Sequence, residues 1–249
     1  MSKEHRLQVM ELFGPTIQGE GIMTGTVTHF LRTGGCPLRC EWCDSLFAVL
    51  PEEIKKHRRL MTTAEIYYEL TALPKAPYVT FTGGDPCIQE RLGDIIPMLN
   101  VQADMRVAVE TQGQYFPEWL EAADVITFSP KGPSSGNIVD VEDLYNWLVK
   151  HQRRPFSVCI KIVVFNAADY EYALHVYNRM PYALYDTFYF TAGTPMHLSD
   201  LERTMGVLAL EQQLAMFMLE NKAGTTFNDK VHLGCQQHVL LWPDKTKGV

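Results

Sequence analysis

Short runs of β-branched and aromatic residues recur along the chain, most of them followed by a longer stretch with helical spacing of its apolar positions. Strands are predicted at Leu7 to Leu12, Val27 to Thr33, Tyr78 to Phe81, Arg106 to Val109, Val125 to Phe128, Val158 to Phe165 and Phe188 to Phe190. Helices are predicted from a Thr62-Thr63 cap to about Leu73, where Pro74 ends the pattern. Further helical stretches run up to about Leu99, from about Val141 to His151, from about Ala167 to Arg179 and from Leu201 to Glu220. Within Val27 to Thr33 the alternation puts Thr28, Phe30 and Arg32 on one face and Val27, His29, Leu31 and Thr33 on the other. Gly14 to Gly21 reads as an open loop presenting Gln18 and Glu20. Lys230 to Trp242 reads as a strand-like tail carrying His232, Cys235, Gln236, Gln237 and His238.

From Val27 onward this makes about six strand-helix units, fewer than the eight of a closed barrel. Apolar strands of this kind suit a mostly parallel sheet covered by helices, so the expected fold class is α/β. Small polar clusters follow the strands: Thr82-Gly83-Gly84-Asp85-Pro86, Glu110-Thr111-Gln112-Gly113, Ser129-Pro130-Lys131 and Thr191-Ala192-Gly193-Thr194-Pro195-Met196. Sites in parallel sheets form at the carboxyl ends of strands, where all of these fall.

Composition narrows the partner. The formal net charge of -7 argues against nucleic acid and favours a small molecule. No run of roughly eighteen apolar residues is present, which removes a membrane span. The polar start and the short Leu7 to Phe13 run lack a signal-peptide core, so a cytoplasmic location is expected. The length suits one domain, with residues 46–61 as a surface insertion and 228–249 as a tail near the active site. The run Lys55-Lys56-His57-Arg58-Arg59 in the insertion reads as a solvated face.

Candidate chemistry concentrates in Thr33 to Ser45, where Cys36, Cys40 and Cys43 have the spacing Cys-x3-Cys-x2-Cys. Three thiolates suit an iron-sulfur cubane that keeps one iron open for another ligand. A closed zinc site would want a fourth ligand, and His57 lies fourteen residues beyond Cys43. A zinc-binding interaction module remains the reading from a different class. Disulfides fit a reducing compartment poorly. Cys87, Cys159 and Cys235 read as small buried hydrophobes.

With its Cys36, Cys40 and Cys43 triad and Trp42 before the last cysteine, the chain resembles radical S-adenosylmethionine (SAM) enzymes. Ile17-Gln18-Gly19-Glu20-Gly21, Phe30 to Cys36, Cys43-Asp44-Ser45, Glu110 to Gly113, Ser129 to Lys131, Lys161 to Val164 and the tail from His238 to Val249 narrow the resemblance to the 7-carboxy-7-deazaguanine synthase family. A glycyl-radical activase shares the cysteine spacing but needs neither the Gln18 to Gly21 loop nor the tail.

The resemblance implies a partial (β/α)6 TIM-like barrel in a single radical SAM domain, usually as a homodimer. It implies a [4Fe-4S] cluster on Cys36, Cys40 and Cys43, S-adenosyl-L-methionine, Mg²⁺ on Ser45, a pterin substrate and an electron donor. By the same resemblance, no side chain would act as acid or base and a 5'-deoxyadenosyl radical would do the chemistry. Trp42, Thr82, Gly83, Gly84, Asp85, Glu110, Thr111, Ser129, Lys131 and Lys161 would contact the cofactor. Gln18, Glu20, Arg32 and His238 would contact the substrate. Ser45 stands where the family usually has Thr, Asp85 where it has Glu, and Thr194 where it has Gln. Asp85 reaches less far by about one methylene, roughly 1.5 Å.

Overall fold

A computed structural model describes residues 5–137, 139–220 and 224–243. The described residues form a nine-stranded sheet in the order β3-β1-β2-β4-β5-β6-β7-β8-β9. The strands are β1 (Leu7–Ile17), β2 (Val27–Thr33), β3 (Arg59–Met61), β4 (Tyr78–Gly83), β5 (Arg106–Thr111), β6 (Val125–Phe128), β7 (Ser157–Val164), β8 (Thr187–Ala192) and β9 (Val231–Cys235). From β2 through β9 every pair is parallel, and β1 and β3 join antiparallel at the edge. The helices are α1 (Pro51–His57), α2 (Thr63–Ala72), α3 (Ile96–Gln102), α4 (Glu142–Lys150), α5 (Ala167–Arg179), α6 (Asp200–Glu220) and α7 (Gln237–Leu241).

The predicted six units are present, from β2 to the helix after β8, and β9 adds a seventh parallel strand. The β5 to β6 crossover uses only a 3-10 turn, Glu118–Ala122. Helix caps follow the sequence signals: Thr62 and Glu65 form a capping box, with Glu65 N–H donating to Thr62 Oγ1 at 3.2 Å. Asn166 caps α5 by accepting from Asp169 N–H at 3.1 Å. The main core lies between sheet and helices, where Leu31, Phe81, Val109, Ile126, Ile160 and Phe190 meet Ile66, Leu99, Leu144 and Leu174. Each such side chain contributes about 1.5–3 kcal/mol when fully buried. A smaller cluster of Met23, Tyr78, Ala108 and Val125 packs nearer the amino ends of the strands.

Three expectations change. The loop starting at Gly14 is instead strand: β1 runs to Ile17, and a register shift between Phe13 and Thr16 absorbs Gly14-Pro15 as a bulge. Gly14 has φ +134 and a Cβ there would stand 2.6 Å from the His29 ring, so glycine is required. Residues 46–61 are more than a surface insertion. They build α1 and the edge strand β3, and bury Ala48, Val49, Ile54 and Met61. The tail is strand only as far as Cys235; Gln237–Leu241 is helix. The tail residues 244–249, including Lys247-Gly248-Val249, lie outside the described residues.

Candidate active site

β2 carries the alternation its sequence predicts. Phe30 and Arg32 line a cavity at the carboxyl ends of the strands, while Leu31 belongs to the outer core. The turn after β2 is fixed by backbone bonds. Gly35 N–H donates to Ala48 O at 2.8 Å, Asp85 N–H to Gly35 O at 2.7 Å and Gly84 N–H to Thr33 O at 3.1 Å. Gly83 (φ +147) and Gly84 make this approach possible, since a Cβ on Gly84 would meet Gly35 O at 2.1 Å.

Cys36, Cys40 and Cys43 are half-buried, free, and face the same cavity. Burial pushes the Cys36 thiol up to about 11 and raises Cys40 and Cys43 as well. Metal ligation requires thiolates, so loading this triad must release protons. Trp42 Nε1 donates to Ser134 Oγ at 2.9 Å, and Asp169 holds Ser134 N–H at 2.9 Å. Asn137 Nδ2 lies 3.8 Å from Cys40 Sγ.

The opposite wall is a polar network. Lys161 on β7 and Glu20 form a buried ion pair. Gln236 Nε2 donates to Glu20 Oε1 at 2.7 Å and to Asp44 Oδ2 at 3.3 Å, and its oxygen accepts from Thr194 Oγ1. Glu110 accepts from Gln18 Nε2 at 2.9 Å and from Thr82 Oγ1 at 3.0 Å. Arg32 Nε donates to Glu11 at 3.0 Å, across the β1–β2 register. Lys131 Nζ donates to Ser129 Oγ at 2.9 Å and lies 5.6 Å from the Trp42 ring centroid. Burial lowers the Lys131 ammonium, with Lys161 nearby adding to the effect. Ser45 Oγ donates to Asp44 Oδ1 at 3.0 Å.

Thus the side chains singled out in sequence as cofactor or substrate contacts converge on one cavity, with Asp85 the exception, and Thr194 also lies off its wall. The Asp85 carboxylate is fully buried and turned away from it. It accepts from Cys87 N–H and Thr111 Oγ1 at 2.9 Å and from Gln112 N–H at 3.2 Å. Its shorter reach therefore serves the β4 and β5 turns. Thr194 likewise contacts Gln236 instead of lining the cavity. Asp44, Gln112 and Gln236 line it without having been predicted; a polar Gln-Gln-His run after an apolar strand was the available signal for Gln236.

The residues fit a cluster with a bound cofactor. The donor set is three free thiols on one wall, the glycines leave a cradle bare of side chains, and both amide atoms of the buried Gln112 lack partners. The three thiols share the cavity wall but are not gathered tightly enough to ligate one metal ion together, and among the described residues no other three His, Cys, Asp or Glu side chains are. No helix among them is long and apolar enough to cross a membrane.

Residues 30–166 match the radical SAM superfamily. The chain is 35% identical to 7-carboxy-7-deazaguanine synthase of Bacillus subtilis (strain 168) over 244 residues, 96% of this chain and 97% of that one. The chain belongs to the 7-carboxy-7-deazaguanine synthase family of radical SAM enzymes. Membership sets aside the activase and zinc-module readings, and implies a [4Fe-4S] cluster and S-adenosylmethionine. Among solved structures, QueE from Escherichia coli shares the family's fold with a TM-score of 0.63 at 20% identity, covering 94% of this chain and 95% of that one. SuiB of Streptococcus suis, bound to S-adenosylmethionine, shares it with a TM-score of 0.56 at 11% identity over 82% of this chain and 49% of that one.

Proposed function

We propose that this enzyme converts 6-carboxy-5,6,7,8-tetrahydropterin to 7-carboxy-7-deazaguanine with release of ammonia, a step in 7-deazapurine biosynthesis. The observation that carries the reading is the placement of Glu20, Gln18 and Arg32 in the same cavity as the three thiols. A carboxylate and an amide side by side match the adjacent donors and acceptors of a pterin edge. Arg32 offers a planar cation for the substrate carboxylate.

When bound, the cluster and S-adenosylmethionine supply one-electron cleavage of a sulfur–carbon bond, and with it a carbon radical. The chain's own residues hold the reactants. Cys36, Cys40 and Cys43 would hold the cluster, and the Thr82 to Gly84 turn would offer backbone carbonyls to an amino group. Ser129 and Lys131 suit a ribose hydroxyl and a carboxylate. Lys161 keeps Glu20 ionised: burial alone would raise the carboxyl, but the ammonium beside it, with His238 and Gln236, holds it at about 2. Phe30, Val49 and Val163 exclude water from the apolar part of the cavity.

Ser45 would hold a Mg²⁺ ion; its hydroxyl lies beside Asp44 on the cavity wall. Mg²⁺ commonly takes few protein ligands and completes its shell with substrate oxygens and water. The reading includes an external electron donor and a homodimer. Anaerobic incubation of the reduced, reconstituted protein with the carboxy-tetrahydropterin tests the function. Mass spectrometry should find a product lighter by ammonia; unchanged pterin alongside cleaved S-adenosylmethionine would refute this substrate.

A further inference from the structure

Helix α6 has two opposed apolar faces. One is spent on the fold: Val207 and Leu214 are buried, and Leu210, Phe217 and Met218 pack against the main core where the helix lies over β8 and β9. At about 3.6 residues per turn the other side carries Leu201, Met205, Leu208, Gln212, Ala215 and Leu219. Leu201 and Leu219, near the two ends, are 75% and 81% exposed, and Met205, Leu208 and Met216 are exposed between them. The charged residues of α6, Asp200, Glu202, Arg203, Glu211 and Glu220, all fall off this stripe. A surface helix of a lone globular unit ordinarily turns its charged residues opposite its core face.

The stripe has an ordered spacing as well as an apolar composition. From Leu201 to Leu219 the steps alternate between four residues and three, which is the seam of a two-helix coiled coil. That alternation reads the same from either end, so a second α6 running antiparallel meets it in register. Leu201 then packs on Leu219 of the second copy, Met205 on Ala215 and Leu208 on Gln212, large side chains against smaller ones. Parallel pairing would instead set Ala215 against Ala215 and leave a gap. The exposed part of the five large side chains is on the order of 500 Å² per copy, so a pair covers on the order of 1,000 Å², the size at which interfaces become specific.

The proposed function includes a homodimer, and the inference rests on that reading and names its surface. We propose that a second copy of this chain docks on α6, the two helices crossing antiparallel through the Leu201 to Leu219 stripe. The interface backs β9, the strand that leads into Gln236, without reaching into the cavity.

Sedimentation velocity of the reconstituted holoenzyme across micromolar concentrations reads the association state. The parent should sediment as a dimer. Met205→Glu combined with Leu208→Glu should weaken it at least about 100-fold, because each copy then brings two carboxylates into an apolar seam. Iron content should match the parent's, since both side chains stand off the core. Val101→Glu on α3, 83% exposed and outside the seam, should leave the dimer unchanged. Leu208→Lys alone should dissociate it, and Gln212→Glu added on the same chain should restore it, because antiparallel pairing sets each introduced ammonium against an introduced carboxylate of the other copy. A monomeric parent overturns the interface, as does a dimer that survives the double glutamate variant. Failure of Gln212→Glu to restore the dimer overturns the antiparallel register. A monomeric parent that floats with phosphatidylcholine vesicles, while the double glutamate variant does not, assigns the stripe to a lipid surface and overturns the pairing too. Pterin turnover is followed beside these runs: a dimer that responds as expected but leaves the pterin unchanged strikes the proposed substrate and not the interface.

Discussion

Gln236 and Glu20, 216 residues apart in sequence, are joined by a 2.7 Å hydrogen bond from side-chain amide to carboxylate. Gln237 N–H reinforces the contact by donating to Gly19 O at 3.0 Å, so the turn between β9 and α7 clamps the loop after β1. Glu20 is thereby aimed from two sides, by Lys161 and by Gln236. Gln236→Leu should leave iron content and thiol number intact while raising the pterin KM about 10-fold or more, since a bond to a charged acceptor contributes about 1.5–3 kcal/mol. Parent-like KM and kcat in this variant would remove Gln236 from the positioning of Glu20.

The same pair sets a pH dependence. Burial alone would raise the Glu20 carboxyl, but Lys161, His238 and Gln236 together bring it from 4.5 to about 2. Burial would lower Lys161, and the Glu20 and Glu110 carboxylates outweigh it, raising the ammonium above 10.5. The stability Glu20 contributes is therefore present above about pH 4.5 and lost as pH falls towards 2; that of Lys161 is present below 10.5 and lost above it. Glu20→Gln takes the hydrogen-bonded carboxylate from a buried ammonium and leaves only Glu110 nearby, at a cost of up to about 3–5 kcal/mol. Thermal melts should show a lower midpoint at neutral pH and a shallower acid limb below pH 4.5. Adding Lys161→Met to Glu20→Gln should recover part of the loss.

Local pattern carried most of the scaffold. Val27–Thr33, Val125–Phe128 and Ala167–Arg179 match their predicted bounds because periodicity and caps within a few residues determine them. The cavity was legible too, because residues at strand ends of a parallel sheet must converge. What the chain hid were the long-range choices. Gly14-Pro15 looks like a loop until the β1 bulge against β2 accommodates it, and Leu46 to Leu60 looks external until Ile54 and Ala48 pack under the cysteine turn. Asp85 follows two glycines in a site motif, yet which way its carboxylate points depends on donors 26 and 27 residues away.

That carboxylate yields a stability prediction. Asp85→Ala strands the Cys87 and Gln112 N–H groups and the Thr111 hydroxyl in a buried place, and each unsatisfied polar group costs about 1–3 kcal/mol. The apoprotein melt should fall by at least about 6 °C, at about 2–4 °C per kcal/mol for a chain of this size. An unchanged melting temperature would mean that the β4 and β5 turns do not depend on this anchor.

Two neighbours of that anchor should behave oppositely in iron binding. A Cβ on Gly84 would stand 2.1 Å from Gly35 O and 2.9 Å from Ala48 O, both backbone atoms that cannot swing aside. Gly84→Ala must therefore push the turn bearing Cys36 away from β4, and reconstitution should recover little iron. Cys87 is nearer in sequence to this turn than any other spare thiol, but it is 3% exposed, packed in the outer core and absent from the cavity wall. Burial keeps its thiol protonated, well above the ordinary range. Cys87→Ala should keep full iron and broad absorbance, and lose only about 1 kcal/mol of stability as a small core truncation. Iron lost from the Cys87 variant, or retained in the Gly84 variant, would show that the cysteine turn is held by something other than its backbone contact with β4.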